Sequence, residues 1–173
     1  RSNSNPINSK DMYDVFAVNK NIAWAAVTEE YDSLIYTIDG GATWNWTHTG
    51  VTNKYYWRSV FFTDANHGWV GGYRTIAYTT DGGATWNQWY DVAATYYWND
   101  LFFISSSVGW AAGSDGRIFK TTNGGVSWSQ QTNTGSDMYT IYFADANHGI
   151  ATGNAGIIAY TVNGGTNWTS SSD

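Results

Sequence analysis

The chain has 173 residues, a formal net charge of -6 and a pI near 4.7, with eight Lys and Arg residues in all. This charge argues against a nucleic-acid partner, because no basic stripe is present to neutralise phosphates. The absence of cysteine excludes disulfides, cysteine metal sites and thiol chemistry, and the sequence contains no run of about 18 apolar residues that would predict a membrane span.

The composition favours β structure. Aromatic residues make up 18% of the chain, and 19 glycines stand against a single proline. Short twisted strands joined by glycine turns fit these numbers better than helices do.

Along the chain, the pattern predicts an arm followed by four similar units of four strands each. Residues 1–10 are interpreted as an N-terminal arm that is either disordered or an added outer strand for the last unit. Residues 11–173 are predicted to form one domain, with units at about 11–50, 51–92, 93–134 and 135–173. Strands of the first unit are predicted at 12–18, 23–28, 33–38 and 43–49. Later inner strands are predicted at 58–63, 99–104 and 139–144, and second strands at 68–72, 109–113 and 149–153.

One eight-residue stretch occurs four times, at 37–44, 79–86, 121–128 and 161–168. From Asp39 to Asp81 is 42 residues, from Asp81 to Asn123 is 42, and from Asn123 to Asn163 is 40. This is the period of one four-stranded propeller blade per repeat. The sequence therefore predicts an all-β fold, a β-propeller of four blades, each a four-stranded antiparallel sheet.

Each stretch combines a turn with an apolar anchor. The Asp or Asn side chain can accept hydrogen bonds from backbone N–H groups, and the glycines after it can take a positive φ. The closing Trp supplies apolar surface for burial. We therefore predict structural roles for the Asx and Trp residues of the four stretches: Asp39, Asp81, Asn123 and Asn163, and Trp44, Trp86, Trp128 and Trp168.

The pattern S/T-x-D-x-G-x-T-W resembles the Asp-box, or BNR, repeat of sialidases, sortilin-type receptors and several glycoside hydrolases. The run at residues 68–72, echoed at 109–113, is similar to the propeller family that includes the photosystem II assembly and stability factor and its bacterial surface relatives. The resemblance implies a protein-binding scaffold. It also implies an extracytoplasmic location (secreted, cell surface or periplasmic), with which a start at Arg1 without Met is compatible.

The number of blades leaves the assembly open. A propeller has to hide the edges of its sheets, so the four blades could close into a narrow ring. They could also be half of an eight-bladed ring completed by a second copy, or a piece of a longer array. Joining of outer strands into a homo-oligomer is a further alternative.

Three arginines are candidates for binding an anionic group. On the propeller scheme, Arg58 begins the inner strand of blade two, and Arg74 and Arg117 lie in matching loops of blades two and three. Their grouping on one face suits bidentate capture of a carboxylate, sulfate or phosphate. The alternative is that each arginine lies over an aromatic neighbour at the surface.

Two aromatic runs just before the inner strands are candidates for ligand stacking. These runs are 55–57 and 96–98, and three aromatic residues in a row cannot all face inward along a strand. The candidate stacking residues are Tyr56, Trp57, Tyr97 and Trp98. Packing between blades is the alternative for these residues.

The resemblance to sialidases also implies an enzyme alternative. Sialidases use three arginines, a Tyr activated by Glu, and an Asp acid, but the only glutamates here are Glu29 and Glu30, and nothing couples either to a Tyr. The Asp-x-Asn-His clusters ending at His67 and His148 fit Asx turns better than metal loops. We therefore predict no catalytic residue, metal or cofactor, with a glycoside hydrolase remnant as the alternative.

The sequence as a whole predicts a non-enzymatic binding or assembly module that presents a loop-rich propeller face to a protein or an anionic ligand. A lectin-like, carbohydrate-binding module is the alternative, favoured by the aromatic content.

Overall fold

The computed structural model describes residues 11–27, 33–51, 56–91 and 96–171. These residues form sixteen strands in four sheets. Blade one contains β1 (Met12–Ala17), β2 (Ala23–Val27), β3 (Ser33–Thr37) and β4 (Asn45–His48). Blade two contains β5 (Trp57–Phe62), β6 (Gly68–Gly72), β7 (Thr75–Thr79) and β8 (Asn87–Tyr90). Blade three contains β9 (Trp98–Phe103), β10 (Gly109–Gly113), β11 (Arg117–Thr121) and β12 (Ser129–Asn133). Blade four contains β13 (Met138–Phe143), β14 (Gly149–Gly153), β15 (Ile158–Thr161) and β16 (Thr169–Ser171).

Every sheet is antiparallel, and its strands pair in chain order from the inner to the outer strand. The predicted all-β fold of four four-stranded blades is therefore confirmed. The inner strands of blades two to four begin one residue earlier than predicted, with β5 starting at Trp57. Short 3-10 turns at Ser114–Gly116 and Asn154–Gly156 join the second and third strands of blades three and four. The predicted arm at residues 1–10 lies outside the described residues.

The repeated stretch forms a closed hydrogen-bonded turn between the third and outer strands. In blade one, the Thr37 hydroxyl donates to Asp39 Oδ1 at 2.7 Å, and the Thr43 backbone N–H donates to the same oxygen at 2.9 Å. The Thr43 hydroxyl donates to Asp39 Oδ2 at 2.6 Å. Gly41 has a φ of 89°, a conformation that favours glycine.

Blades three and four build the same turn with Asn. The Asn123 side-chain oxygen accepts from the Ser127 backbone N–H at 3.0 Å, while Asn123 Nδ2 donates to the Ser127 hydroxyl at 2.9 Å. In blade three, an amide therefore substitutes for the carboxylate by reversing one bond. The Trp that closes each stretch packs against its own blade or the adjoining one. Trp128 is buried, and the other three are half-buried: Trp44, Trp86 and Trp168.

The apolar core lies between the blades. At each joint, a Trp on the second strand of one blade stacks on a Phe of the next inner strand: Trp24 on Phe62, Trp69 on Phe103 and Trp110 on Phe143. The indole N–H of Trp69 also donates to the Gly124 carbonyl at 2.8 Å, in the repeated stretch of blade three. Aromatic burial therefore joins one blade to the next.

The four blades form an arc. Inner strands pack β1 against β5, β5 against β9 and β9 against β13, and among the described strands no contact of similar extent joins β13 to β1. Of the arrangements that the sequence left open, the ring closed by four blades of one chain is therefore not the one the structure adopts. No helix in the described part of the chain is long and apolar enough to cross a membrane.

Candidate binding site

The three predicted arginines each approach a tyrosine ring near the joint between blades two and three. Arg58, on β5, lies with its guanidinium carbon 3.6 Å from the centroid of the Tyr97 ring. Its Nη1 donates to the Asn99 side-chain oxygen at 2.9 Å. This bond holds the guanidinium against the start of the neighbouring inner strand, β9.

Arg117 approaches the other tyrosine. Its guanidinium carbon lies 4.4 Å from the centroid of the Tyr96 ring, and the Tyr96 hydroxyl donates to Asp91 Oδ2 at 2.6 Å. Burial and the bond to Asp91 raise the pKa of Tyr96, so the phenol keeps its proton and remains a donor. Arg117 Nε is buried and has no hydrogen-bond partner within the described chain.

Arg74 reaches the same place through its backbone. Its N–H donates to the Tyr96 carbonyl at 3.0 Å, and its carbonyl accepts from the Asp91 N–H at 3.0 Å. Its φ of 62° turns the chain between β6 and β7 and directs the guanidinium toward Tyr90, whose ring centroid is 5.0 Å away. We call Arg58, Arg74, Arg117, Tyr96 and Tyr97 the arginine–tyrosine cluster.

The four predicted stacking residues divide into two pairs. Trp57 is 1% exposed and Trp98 is 0% exposed, so neither ring can offer a face to a ligand, and both pack between blades. Tyr56 is exposed and Tyr97 is half-buried beneath Arg58. The prediction that Trp57 and Trp98 stack on a ligand is therefore corrected to the packing alternative.

A β-bulge explains this division. The pairing of β5 with β6 shifts register between Trp57 and Ser59, and the same shift recurs between β9 and β10. The bulge turns Trp57 toward the interblade core and leaves Arg58 partly exposed. The amino-acid composition does not predict this bulge, and so it does not predict which side chains of the run face the core.

The histidine turns are Asx turns. Asp64 Oδ1 accepts from the backbone N–H groups of Asn66 at 2.8 Å and His67 at 3.0 Å, and His67 Nδ1 lies 2.8 Å from Asp64 Oδ2. The turn ending at His148 repeats this geometry. In the ranges that the structure describes, no three His, Asp or Glu residues are grouped as metal ligands would be. Glu29 and Glu30, named for the enzyme alternative, lie outside those ranges.

Two half-buried carboxylates near the axis join inner strands. Asp14 Oδ2 accepts from the Val60 N–H at 2.9 Å, and Asp100 Oδ2 accepts from the Ile141 N–H at 2.8 Å and the Thr140 hydroxyl at 2.9 Å. Burial raises the pKa of both carboxyl groups, partly offset by these bonds. These hydrogen bonds connect one inner strand to the next, which indicates a structural role for both carboxyl groups.

Sequence reasoning missed Asp91 and Tyr96 as members of the site. Tyr96 stands in one of the aromatic runs, but nothing in the pattern separates it from its neighbours. Asp91 follows β8 directly, and its link to Tyr96 depends on how the connection between the blades folds.

Comparisons with known proteins agree with this architecture. A family model described as the photosynthesis system II assembly factor YCF48 matches residues 45–130 and again residues 89–172. No curated protein matches the sequence significantly.

Solved structures show where the likeness lies. A structure described as YCF48 bound to D1 peptide has a TM-score of 0.75 and 20% identity, covering 95% of this chain and 55% of that one. YCF48 from Cyanidioschyzon merolae has a TM-score of 0.70 and 20% identity, covering 95% and 56%. An ancestral GH74 enzyme has a TM-score of 0.71 and 21% identity, covering 91% and 23%. The chain thus spans just over half the length of these YCF48 chains, and at these identities the likeness shows the fold.

Proposed function

Because the chain belongs to the family of the photosynthesis system II assembly factor YCF48, we propose that it is a non-enzymatic scaffold whose arginine–tyrosine cluster binds an acidic group of a partner protein. The two family matches together include every residue of the cluster. One YCF48 structure holds a D1 peptide, so peptide binding is known for a protein of this family. For this chain, the acidic partner is the proposal.

The observation that carries the proposal is the convergence of arginines from two blades on Tyr96 and Tyr97. A guanidinium whose face stacks on a ring directs its N–H donors outward along its edge. Arg58 is held in this way by Tyr97 at 3.6 Å, and Arg117 by Tyr96 at 4.4 Å. Preorganised, edge-on donors suit bidentate binding of a carboxylate and lose little side-chain entropy when it binds.

Arg117 adds a second reason to expect an anion. A guanidinium keeps its positive charge at neutral pH and attracts a carboxylate, although the Nε of Arg117 is buried and not itself open to a ligand. The Tyr96 phenol stays protonated and donates to Asp91, while the positive charge of Arg117 beside it is available to attract an acidic group. The geometry thus favours an acidic side chain or a chain-terminal carboxylate.

Carbohydrate binding is the second candidate, and the exposed ring of Tyr56 is what favours it. Burial of Trp57 and Trp98 removes the two largest rings on which a sugar could have stacked. The enzyme alternative depends on Glu29 and Glu30, and a chain that hydrolyses glycans and loses this activity in a Glu29→Gln, Glu30→Gln variant would refute the non-enzymatic proposal.

A thermal-shift screen tests the proposal directly. The ligands are acidic peptides with a free carboxylate, the same peptides as C-terminal amides with neutral side chains, and neutral and sulfated glycans. An acidic peptide at about 100 times its dissociation constant should stabilise the fold by about 2.7 kcal/mol. For a chain of this size that raises the melting temperature by about 5–10 °C.

Variants then locate the site. Arg58→Ala and Arg117→Ala should each weaken peptide binding by about 10-fold to 100-fold, since each removes a charged hydrogen-bond donor. Lys20→Ala is the matched control, because Lys20 is an exposed cation in a turn of blade one. If Lys20→Ala and Arg117→Ala weaken peptide binding equally, then binding depends only on the net charge of the chain, and the proposal is contradicted. A shift with neutral glycans that both Arg variants keep would favour the second candidate.

An extracytoplasmic location remains part of the proposal, supported by the resemblance to bacterial surface relatives. Protease treatment of intact cells provides the test. A chain that is degraded without lysis lies outside the cytoplasm, and one that survives until lysis refutes the location.

A further inference from the structure

The two ends of the arc expose positions that are buried or half-buried at the joints between blades. On blade one, β1 exposes Met12, Val15 and Ala17, with Val15 at 63%. The equivalent residues of the other blades are at most 3% exposed: Trp57, Val60 and Phe62; Trp98, Leu101 and Phe103; Met138, Ile141 and Phe143. We call Met12, Val15 and Ala17 the trailing face.

Blade four is open on its other side. It exposes Tyr142, Ile150 and Ile158, with Ile150 at 45%. The residues at the Ile150 and Ile158 positions of the other blades are all buried: Trp24, Trp69 and Trp110, and Leu34, Ile76 and Ile118. We call Tyr142, Ile150 and Ile158 the leading face.

The three joints inside the chain show what covers such faces. At each joint, a Trp at the position equivalent to Ile150 in one blade stacks on a Phe at the position equivalent to Ala17 in the next blade. The ring centroids are 5.3 Å apart for Trp24 and Phe62, 3.7 Å for Trp69 and Phe103, and 3.5 Å for Trp110 and Phe143. The chain therefore covers a leading face with the trailing face of another of its own blades.

The open faces carry matched replacements at this contact. Blade four has Ile150 in place of the Trp, and blade one has Ala17 in place of the Phe. In blades two to four, a glycine pairs with the Phe across the sheet, because a Cβ there would overlap the ring: Gly68, Gly109 and Gly149. In blade one, Ala17 pairs with Ala23 instead. Both sides of one aromatic contact are thus reduced together, as expected if the two faces meet each other.

A chain of hydrogen bonds along the axis has matching open ends. A side-chain oxygen of each inner strand accepts from a backbone N–H of the next: Asp14 from Val60 at 2.9 Å, Ser59 from Leu101 at 3.2 Å, and Asp100 from Ile141 at 2.8 Å. Thr140 holds this position in blade four, and Val15 supplies the equivalent N–H in blade one. Leu101 N–H bonds both Ser59 and Asp100, so Val15 N–H, already bonded to Asp14 at 2.8 Å, can bond Thr140 of another copy in the same way.

A row of aromatic rings ends at the same two places. Phe16, Phe61, Phe102 and Tyr142 follow one another around the axis with centroids 4.8, 5.4 and 4.7 Å apart. Tyr142 is exposed at the leading end, and Phe16 is half-buried at the trailing end. A joint between the two ends would continue the row at a similar spacing.

The curvature of the arc agrees with a ring that is larger than one copy. Nearly the whole chain, 95% of it, superposes on just over half of two longer propellers, 55% and 56% of their lengths. The blades are therefore inclined as in propellers longer than this chain, and one copy leaves the arc open. We propose that two copies of this chain close one propeller ring, with the leading face of each packed on the trailing face of the other. A second copy is the occupant because the required contact is the one the chain already makes with itself at three joints.

The molecular mass of the native protein in solution tests the proposal. Light scattering of the purified chain should give twice 19.2 kDa at micromolar concentration. Ile150→Glu and Ala17→Lys each place an unpaired charge in both joints of a two-copy ring, so each variant alone should dissociate about 100-fold or more readily. Both positions are exposed in a single copy, so circular dichroism should show that each variant stays folded.

Mixing the two variants gives the decisive result. In a ring with one copy of each, one joint is unaltered and the other pairs the introduced Glu with the introduced Lys, so the dimer should return on mixing. Val126→Glu is the matched control, because Val126 is an exposed apolar residue of a blade-three turn, away from both faces, and this variant should remain dimeric. A monomeric unaltered chain, a mass that keeps growing with concentration, or a mixture that stays monomeric would each overturn the proposal.

Discussion

Gly109 tests how the interblade core is built. It lies in β10 opposite Phe103 of β9, in an extended strand whose backbone conformation does not itself require glycine. A Cβ at Gly109 would overlap the Phe103 ring. We therefore expect Gly109→Ala to displace Phe103 from its stack on Trp69, where the centroids are 3.7 Å apart.

The magnitude follows from the contacts of this pair. Overpacking by one methyl group should lower the free energy of unfolding by about 1–3 kcal/mol. Phe103→Ala removes a buried ring and should lower it by about 3–5 kcal/mol. In the double variant, the added methyl group enters space that the ring has left. The double variant should therefore cost no more than Phe103→Ala alone, which gives a coupling of about 1–3 kcal/mol. Blade one carries this combination already, as Ala17 and Ala23.

Urea denaturation of the four proteins, followed by circular dichroism and by Trp fluorescence, measures the coupling, provided that the two transitions coincide. Single costs that add to within about 0.5 kcal/mol would refute the steric reasoning. The same cycle with Gly149→Ala and Phe143→Ala in blade four is the internal repeat, since a Cβ at Gly149 would overlap Phe143 in the same way.

Two further predictions concern the turns and the indole bonds. The threonine hydroxyls lower the pKa of Asp39 and Asp81 to about 2, so the stability these carboxylates add is present above their ordinary pKa and is lost as pH falls through about 2. An Asp39→Asn, Asp81→Asn variant should lose less melting temperature between pH 4 and pH 2 than the unaltered chain, and an equal loss would contradict this assignment. Trp69→Phe removes the bond to Gly124 and should cost about 1–3 kcal/mol more than Trp57→Phe, because the Trp57 indole N–H has no partner in the described chain. Urea denaturation checks this, and equal costs would show that the bond contributes nothing.

The sequence predicted the blades because their turns are local. Thr37, Asp39, Gly41 and Thr43 close a hydrogen-bonded loop within seven residues, so the residue types and their order are enough to specify it. The repeat at 40 to 42 residues then fixes the number of sheets, and antiparallel pairing in chain order follows from the short connections.

What the sequence did not specify depends on small geometric shifts. The bulge beside Trp57 decides which side chains of an aromatic run face the core, and it has no signature in the residue types. The curvature of the arc depends on a small rotation at each joint, set by how closely rings such as Trp110 and Phe143 approach. A repeat length cannot give that rotation, so ring closure could not be decided from it.

The position of the arginine–tyrosine cluster makes the binding and assembly proposals independent. Arg58 and Arg74 come from blade two, and Arg117 comes from blade three, so the cluster belongs to the middle joint of the arc. That joint is complete within one copy, because Trp69 stacks on Phe103 and the Asn99 side chain holds Arg58. Ring closure buries residues only at the two ends of the arc. A peptide that binds the cluster therefore needs one copy, and a failure of either proposal leaves the other standing.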